Sequence, residues 1–306
     1  MAPVHLLGSA LFWALFWGLG ALPEAPEPLG CHDVGIFSDL DTQVRLALPS
    51  RLDPGRLRTV EDPRRRLLVL YEGDHPIKVY PTPLRPRDRA ELAPLAKELP
   101  ATTLAKGQPP LPGDRDGDGI PDPLDVLIGA KKLLLNGAAY TEGYKPIPFP
   151  RGDVPRDVGV CTDVLVRALR NAGLDLQGEL YDDIGRAPRA YPMVKRRNPS
   201  IDHRRVKTLL PFFRRHFEGH AADPRQGGDP YRPGDVVFMD TFPSRPGPDH
   251  VGIVSDRLGP SGLPLIINNW TTGTKDAEMD LLAFVAVTER FRIPPRSPMP
   301  GKTRGR

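Results

Sequence analysis

The sequence predicts an α+β fold for its C-terminal half, because two kinds of apolar pattern follow one another there. Apolar residues recur at helical spacing in 162–171 and again in 204–217. Four short runs rich in β-branched and aromatic residues come next, at 235–239, 250–255, 263–268 and 284–291. Helices followed by a series of strands are typical of helices packed on an antiparallel sheet.

The region before this unit is predicted to be loosely organised. With 38 prolines in 306 residues, the chain needs long irregular connections, and many of them fall in residues 23–113. Within that Pro-rich region, residues 66–81 read as a small β-hairpin, and residues 89–99 read as a short helix.

The N-terminus predicts export. Residues 1–22 contain an uncharged apolar run of signal-peptide length and are interpreted as a signal peptide, with a retained membrane anchor as the alternative. The mature chain is then expected in the periplasm or outside the cell, and it would contact a membrane only through the signal sequence or a lipid anchor at Cys31. Residues 296–306 are expected to form a disordered basic tail. The net charge of +4 is mild and does not indicate a nucleic-acid partner.

An acidic loop precedes the C-terminal unit and has calcium-ligand spacing. Gly119 stands at the sixth position of the twelve-residue loop 114–125, where such a loop turns sharply. The loop resembles dockerin and thrombospondin type 3 calcium loops, although it occurs once and ends in Asp instead of Glu. Residues 114–136 are therefore predicted to be a structural calcium-binding loop and helix, with a solvated acidic turn as the alternative. The expected ligands are Asp114, Asp116, Asp118, the carbonyl of Ile120, Asp122 and Asp125.

Cys161 is the candidate nucleophile because it stands immediately before a predicted helix. The helix dipole and free N–H groups at that position favour a thiolate. His250 opens a predicted strand and is the best candidate for the general base, with His203 second. A third polar group that orients the imidazole is expected at Asn268 or Asn269.

Several motifs in the same order carry a family resemblance. GDVPRDVGVCTDVLVRALRNAGLDLQ, DHVGIVSD and IINNWTTG resemble the bacterial domain-of-unknown-function family 1287, within the NlpC/p60-type papain-like cysteine peptidases. The resemblance implies that residues 137–295 form a papain-like catalytic domain, whose Cys-bearing helix packs on an antiparallel sheet. It also implies Cys161 as nucleophile, His250 as base and Asn268 in the third position, where related sequences usually carry His. Asp163, on the first turn of the helix, would read a substrate amine or pair with Arg204 or Arg205.

The resulting hypothesis is an exported cysteine amide hydrolase that cuts peptidoglycan stem peptides as an endopeptidase or amidase. An acyltransferase would use the same thiol. A non-catalytic cell-wall or partner-binding protein on the same fold is the alternative of a different class, and a Cys31–Cys161 disulfide would favour it.

Overall fold

The computed structural model describes residues 44, 46–49, 52–95, 99–104, 113–223, 228–242, 244 and 247–294. The predicted signal peptide, Cys31 and the basic tail lie outside these residues. The described part of the chain is α+β, as predicted, with five α-helices and two main sheets. No helix within it is both long and apolar enough to cross a membrane.

A small four-stranded sheet forms the N-terminal part. Its strands have the spatial order β3-β2-β1-β4, and only β4 runs parallel to its neighbour. The predicted hairpin corresponds to β2 and β3, whereas β1 and β4 were not predicted. Where a helix was predicted at 89–99, the structure has a shorter helix, α1, which begins earlier in the chain. It covers one face of the sheet through Leu92. The bounds are β1 (Leu57–Asp62), β2 (Leu67–Glu72), β3 (His75–Pro81), α1 (Pro86–Leu92) and β4 (Ala101–Thr103).

Four further helices follow, and two of them cross closely. These are α2 and α3. Gly129 of α2 lies so close to the backbone of α3 that a Cβ there would be 2.9 Å from the Ala168 Cα. Glycine is therefore needed at this crossing for the helices to approach so closely. The helix α4 was not predicted, and α5 is shorter than the predicted 204–217. The bounds are α2 (Asp122–Asn136), α3 (Cys161–Asn171), α4 (Leu176–Arg186) and α5 (Val206–His216).

A six-stranded antiparallel sheet carries the second half of the site. Its order is β11-β10-β9-β8-β12-β7. Gly252 in β9 faces β10, where a Cβ would lie 2.3 Å from Ile266 Cγ2, so these two strands pack closely. A separate parallel pair, β5 with β6, leads into α3. The bounds are β5 (Ala139–Tyr140), β6 (Val158–Gly159), β7 (Glu218–His220), β8 (Val236–Asp240), β9 (His250–Leu258), β10 (Pro264–Asn268), β11 (Ala277–Met279) and β12 (Ala286–Arg292).

One buried apolar cluster joins the small sheet, α2, α3 and the large sheet. It includes Val69 from the small sheet, Leu127 from α2, Leu165 from α3 and Ile253 from β9. The core therefore continues across the domain boundary predicted at residue 137. The helix that follows the acidic loop is packed into the same interior as the Cys161 helix.

Candidate active site

Cys161 is the first residue of α3 and is buried, with 7% of its surface exposed. It is a free thiol. Its backbone N–H is one of the first four of the helix, and these four have no acceptor within the helix. The backbone N–H groups of Thr162 and Val251 form hydrogen bonds to the sulfur. Val251 follows His250 directly, so the strand that carries the imidazole contacts the thiol.

The thiol is protonated in the free protein. Burial raises the pKa of Cys161 to about 12, and the neighbouring carboxylates of Asp163 and Asp249 add to that effect. The hydrogen bonds from the two backbone N–H groups lower the pKa but do not compensate. The expectation of a thiolate stabilised by the helix N-terminus is therefore wrong for this ground state, because the cost of burying the charge exceeds the contribution of the helix end.

His250 is oriented by Asn268. The two residues are diagonal neighbours on the adjacent strands β9 and β10, and Nε2 of the imidazole is 3.2 Å from Oδ1 of Asn268. The Asn268 amide nitrogen donates to the Ile266 carbonyl (3.1 Å), which leaves its oxygen to face the ring. An amide oxygen only accepts, so Nε2 carries the proton and Nδ1 keeps a free lone pair. Burial lowers the pKa of His250, so the ring is neutral and basic at Nδ1.

Trp270 covers the imidazole, with ring centroids 4.7 Å apart in an edge-to-face arrangement. Together with the full burial of Asn268, this contact holds the ring in one place. Within the described residues no hydrogen bond joins Cys161 to His250, so the thiol and the imidazole do not form a preassembled ion pair.

The structure separates His250 and Asn268 from the other two candidates, Asn269 for ring orientation and His203 for the general base. Asn269 points elsewhere: its amide nitrogen donates to the carbonyl of Ala138 (3.0 Å). His203 sits in a buried 3-10 turn, and burial lowers its pKa to about 4. It is absent from the lining of the cleft at Cys161.

Asp163 is committed to structure. One of its oxygens accepts the backbone N–H of Val160 (2.8 Å) and so caps α3. The same carboxylate forms a two-point ion pair with the buried guanidinium of Arg204 (2.7 and 2.8 Å). Of the roles considered for Asp163, the structure supports the pair with Arg204 and leaves no free oxygen for a substrate amine.

A cleft of about 470 Å³ opens beside the thiol. Its lining includes the acidic residues Glu142 and Asp249 and the basic residues Arg205 and Lys207. Tyr140 also lines it, and burial raises the pKa of its phenol to about 12, so the phenol is a neutral donor. The residues that line the cleft are Tyr140, Glu142, Gly143, Val160, Cys161, Thr162, Ile201, Arg204, Arg205, Val206, Lys207, Pro248 and Asp249.

Sequence reasoning missed most of this cleft. Asp249 directly precedes His250 in the DHVGIV motif, so the sequence could have indicated that it lies near the site. Tyr140 and Glu142 belong to a two-residue strand and the loop after it, and no sequence pattern connects them with Cys161. Their place depends on the pairing of β5 with β6, a contact that only the tertiary structure reveals.

The acidic loop is a second polar centre. Asp114, Asp116 and Asp118 each offer a carboxylate oxygen within 4.8 Å of the others. Asp114 is fully buried and accepts the N–H groups of Gly117 and Gly119 (2.8 and 2.9 Å). Burial and the mutual repulsion of these carboxylates raise the pKa of Asp114 to about 6 and that of Asp118 to about 7.

The remaining predicted ligands are close by but outside that group of three. Asp122 begins α2, accepts the Arg115 N–H (2.7 Å) and has its pKa raised by burial to about 7. Asp125, also in α2, is buried, and burial raises its pKa as well. The Ile120 side chain belongs to the apolar core, and its N–H donates to Asp118 (2.7 Å). Asp118, Asp122 and Asp125 each keep one buried Oδ2 without a hydrogen-bond partner.

The loop is joined to the Cys161 helix. The side-chain amide of Asn171, the last residue of α3, donates to the carbonyl (2.9 Å) and to Oδ1 (2.5 Å) of Asp125. Asp116 lies against Gly173, just beyond the helix. The acidic loop therefore holds the C-terminal end of α3, while Cys161 occupies the other end.

Comparison with known proteins assigns the family. The model for DUF1287, a domain of unknown function, matches residues 128–293. The uncharacterized protein YijF of Escherichia coli (strain K12) is 33% identical over 159 residues, which cover 51% of this chain and 75% of YijF. No solved structure gives a significant match. The matched span includes α3 and the strands that carry His250 and Asn268, and begins after the acidic loop. The chain therefore belongs to the DUF1287 family.

Proposed function

We propose that this protein is an exported cysteine amide hydrolase with a papain-like fold of the NlpC/p60 type. Its substrates would be peptidoglycan stem peptides, cut as an endopeptidase or amidase. The observation that carries the proposal is the pair of His250 and Asn268 beside a thiol at a helix N-terminus. Asn268 fixes the tautomer that leaves His250 Nδ1 free to accept a proton.

The reaction begins from a neutral thiol and a neutral imidazole. As Cys161 Sγ attacks the substrate carbonyl carbon, its proton moves to His250 Nδ1 and the carbonyl oxygen takes up the negative charge. The backbone N–H of Cys161 is the first donor to that oxygen. The protonated imidazole then gives its proton to the leaving amine as the C–N bond breaks. Water, deprotonated by His250, hydrolyses the thioester and releases the acid and the free thiol.

Digestion of purified peptidoglycan tests this function. The full chain, Cys161→Ser and His250→Ala would each be incubated with sacculi and with soluble muropeptides, and products would be read by mass spectrometry. Only the parent chain should release fragments with a new amino and a new carboxyl terminus. Asp182→Asn is the matched control, because this exposed residue of α4 lies away from the cleft. Equal release by Cys161→Ser and the parent chain would rule out the thiol mechanism.

The acyltransferase alternative uses the same acyl-enzyme. Adding glycinamide to the digestion separates the two reactions, because a transferase yields the glycinamide adduct while a hydrolase yields the free acid. Predominance of the adduct at millimolar glycinamide would change the assignment from hydrolase to transferase.

A non-catalytic wall-binding protein is the second candidate, and one observation favours it. Burial raises the pKa of Cys161 to about 12, and no hydrogen bond joins the thiol to the imidazole among the described residues. If sacculi retain the parent chain and Cys161→Ala equally and no fragment is released, the protein binds the wall without cutting it.

We also infer that the acidic loop holds a structural Ca²⁺ ion. Three carboxylates converge, and three buried carboxylate oxygens have no hydrogen-bond partner within the described chain, although Asp122 Oδ2 lies 3.4 Å from the Arg115 guanidinium. A hard cation with oxygen ligands satisfies such a set, so the residues fit the ion. Asp114, Asp116, Asp118, Asp122 and Asp125 would hold it, together with the carbonyl of Ile120. A calcium ion in this position would stabilise the fold by offsetting the repulsion between the carboxylates.

A further inference from the structure

The cleft at Cys161 contains an acidic residue whose bonding is incomplete. Asp249 lines the cleft, and its Oδ1 accepts both the backbone N–H and the hydroxyl of Thr241 (2.9 Å each). Its Oδ2 is buried and has no hydrogen-bond partner in the described part of the chain. A buried carboxylate oxygen without a donor is unfavourable. The side chain is thus held in position at one oxygen and left open at the other.

The other acidic group of the cleft reinforces the same charge. Glu142 is exposed and accepts a hydrogen bond from the Tyr140 hydroxyl (3.2 Å). With Asp163 committed to Arg204, the negative charge that a ligand meets in the cleft comes from Asp249 and Glu142. These two groups suit a ligand with a primary ammonium.

The basic residues of the cleft are available to a ligand of opposite charge. Arg205 and Lys207 are exposed. Arg205 forms a long ion pair with Asp202 (3.8 Å) and stays solvent-exposed, and Lys207 takes part in no ion pair among the described residues. Arg204, the third basic residue, is neutralised by Asp163. The two exposed cations therefore suit a carboxylate.

We propose that the cleft selects peptides that carry both a primary ammonium and a carboxylate near the scissile amide, with Asp249 binding the ammonium and Arg205 and Lys207 the carboxylate. The proposal deepens the amide-hydrolase function and rests on it for the position of the scissile bond. Asp249 is a substrate-binding residue with no step in bond cleavage. A peptide blocked at its amine would leave Asp249 Oδ2 unpaired and would be discriminated against.

Substrate recognition at Asp249 would also activate the nucleophile. The negative charge of Asp249 is one of the causes that raise the pKa of Cys161. A substrate ammonium paired with Asp249 cancels part of that charge while the substrate lies in the cleft. Proton transfer from the thiol to His250 then becomes easier when the correct substrate is bound.

Calorimetric binding to the full chain carrying Cys161→Ala tests the proposal without requiring turnover. The probe is the synthetic tripeptide L-Ala-γ-D-Glu-meso-diaminopimelic acid, which has two primary amines and free carboxylates. One N-acetylated form blocks the alanine amine, and a second blocks the side-chain amine of the diamino acid, so the pair identifies which ammonium is bound. We expect one blocked form to bind roughly tenfold or more weakly than the free tripeptide.

Substitutions at the cleft provide the second arm. Asp249→Asn keeps the acceptor for Thr241 but removes the charge, and it should weaken binding of the free tripeptide roughly tenfold or more while abolishing the preference over the blocked form. Lys207→Gln should weaken binding several-fold without changing that preference. Asp182→Asn, on the exposed side of α4, should leave both unchanged.

The results separate this proposal from the hydrolase function. Binding lost in Asp249→Asn, with no fragment released by the parent chain, would leave recognition established and hydrolysis refuted. Fragment release by the parent chain, with Asp249→Asn binding the free tripeptide as well as Cys161→Ala alone, would overturn recognition and leave hydrolysis intact. Failure of all three tripeptides to bind would overturn recognition regardless of activity.

Discussion

The acidic loop and the Cys161 cleft are two buried polar centres that resolve the cost of burial in different ways. In the cleft the buried groups next to the thiol are bonded within the chain: Asn268 orients His250, and Asp163 is neutralised by Arg204, while Asp249 keeps one oxygen unpaired. In the loop the groups are carboxylates, and three buried oxygens have no hydrogen-bond partner in the described chain. The first centre has most of its bonds within the chain and leaves one carboxylate oxygen for a ligand, whereas the second would be completed by the cation proposed above.

This difference predicts that the cleft contributes to activity and the acidic loop to stability. A pair such as His250 and Asn268, which is already bonded and buried, is preorganised for chemistry before a substrate enters. A centre that needs an ion contributes stability only when the ion is bound. Substitutions in the cleft should therefore change activity with little effect on stability, and substitutions in the loop should do the reverse.

The largest expected effect is on turnover. His250→Ala removes the proton acceptor, and we expect a loss of roughly 10³–10⁴-fold in kcat, with the melting temperature nearly unchanged. Muropeptide digestion and thermal denaturation of the same preparation measure the two quantities. A large drop in melting temperature would contradict the division of roles between the two centres.

The thiol should be unreactive in the free protein. Because burial raises the pKa of Cys161 to about 12, the thiol is protonated below that pH, and its alkylation rate should rise about tenfold per pH unit from pH 7 upward. At pH 7 the rate should lie on the order of 10³-fold below that of an exposed cysteine of ordinary pKa. Iodoacetamide labelling followed by intact-mass spectrometry measures it, with unfolded protein as the control. Fast labelling near pH 6 would instead indicate a preformed ion pair with His250.

Calcium removal should act on stability. If the ion is present at about a hundred times its dissociation constant, chelation removes about 2.7 kcal/mol of stability, or roughly 5–10 °C in melting temperature. Asp114→Asn should reproduce the loss and abolish the response to added calcium. Magnesium serves as the control cation, because it fits such a loop less well. Identical melting curves with and without chelator would refute the site.

The contact between α2 and α3 offers a smaller test that links the two regions. Gly129→Ala places a methyl group within 3 Å of the Ala168 backbone and of the Asn171 side chain. Overpacking of this kind costs about 1–3 kcal/mol, partly offset by the better helix propensity of alanine. We expect a melting temperature a few degrees lower, together with weaker calcium binding, since Asn171 contacts Asp125. Gly219→Ala is the matched control, because a Cβ there meets nothing within 4 Å.

The sequence was informative where a local pattern sets the structure. The helix after Cys161 and the strands around His250 and Asn268 carry strong periodicity and family motifs, and the structure has helices and strands there within a few residues of the predicted ends. The spacing of the Asp residues in the acidic loop likewise predicted that their carboxylates converge, and three of them do.

The rest depends on tertiary contacts. Asn268 and Asn269 are equivalent in sequence, and only the register of β10 against β9 decides which one faces His250. The pKa of Cys161 depends on burial by elements distant in sequence, so local dipole arguments gave the wrong direction. The strands β1 and β4 have no distinctive pattern: β1 pairs with the edge of the hairpin, and β4 pairs with β1.

The crossing of α2 with α3 bears on how this chain can be divided. The matched family region begins at residue 128, in the middle of α2, whereas the helix itself begins at Asp122 inside the acidic loop. Because α2 covers a face of the Cys161 helix, the loop cannot be removed as a module without cutting a helix that the core requires. In this chain the acidic loop forms the start of that helix, so the loop and the matched family region share one continuous core.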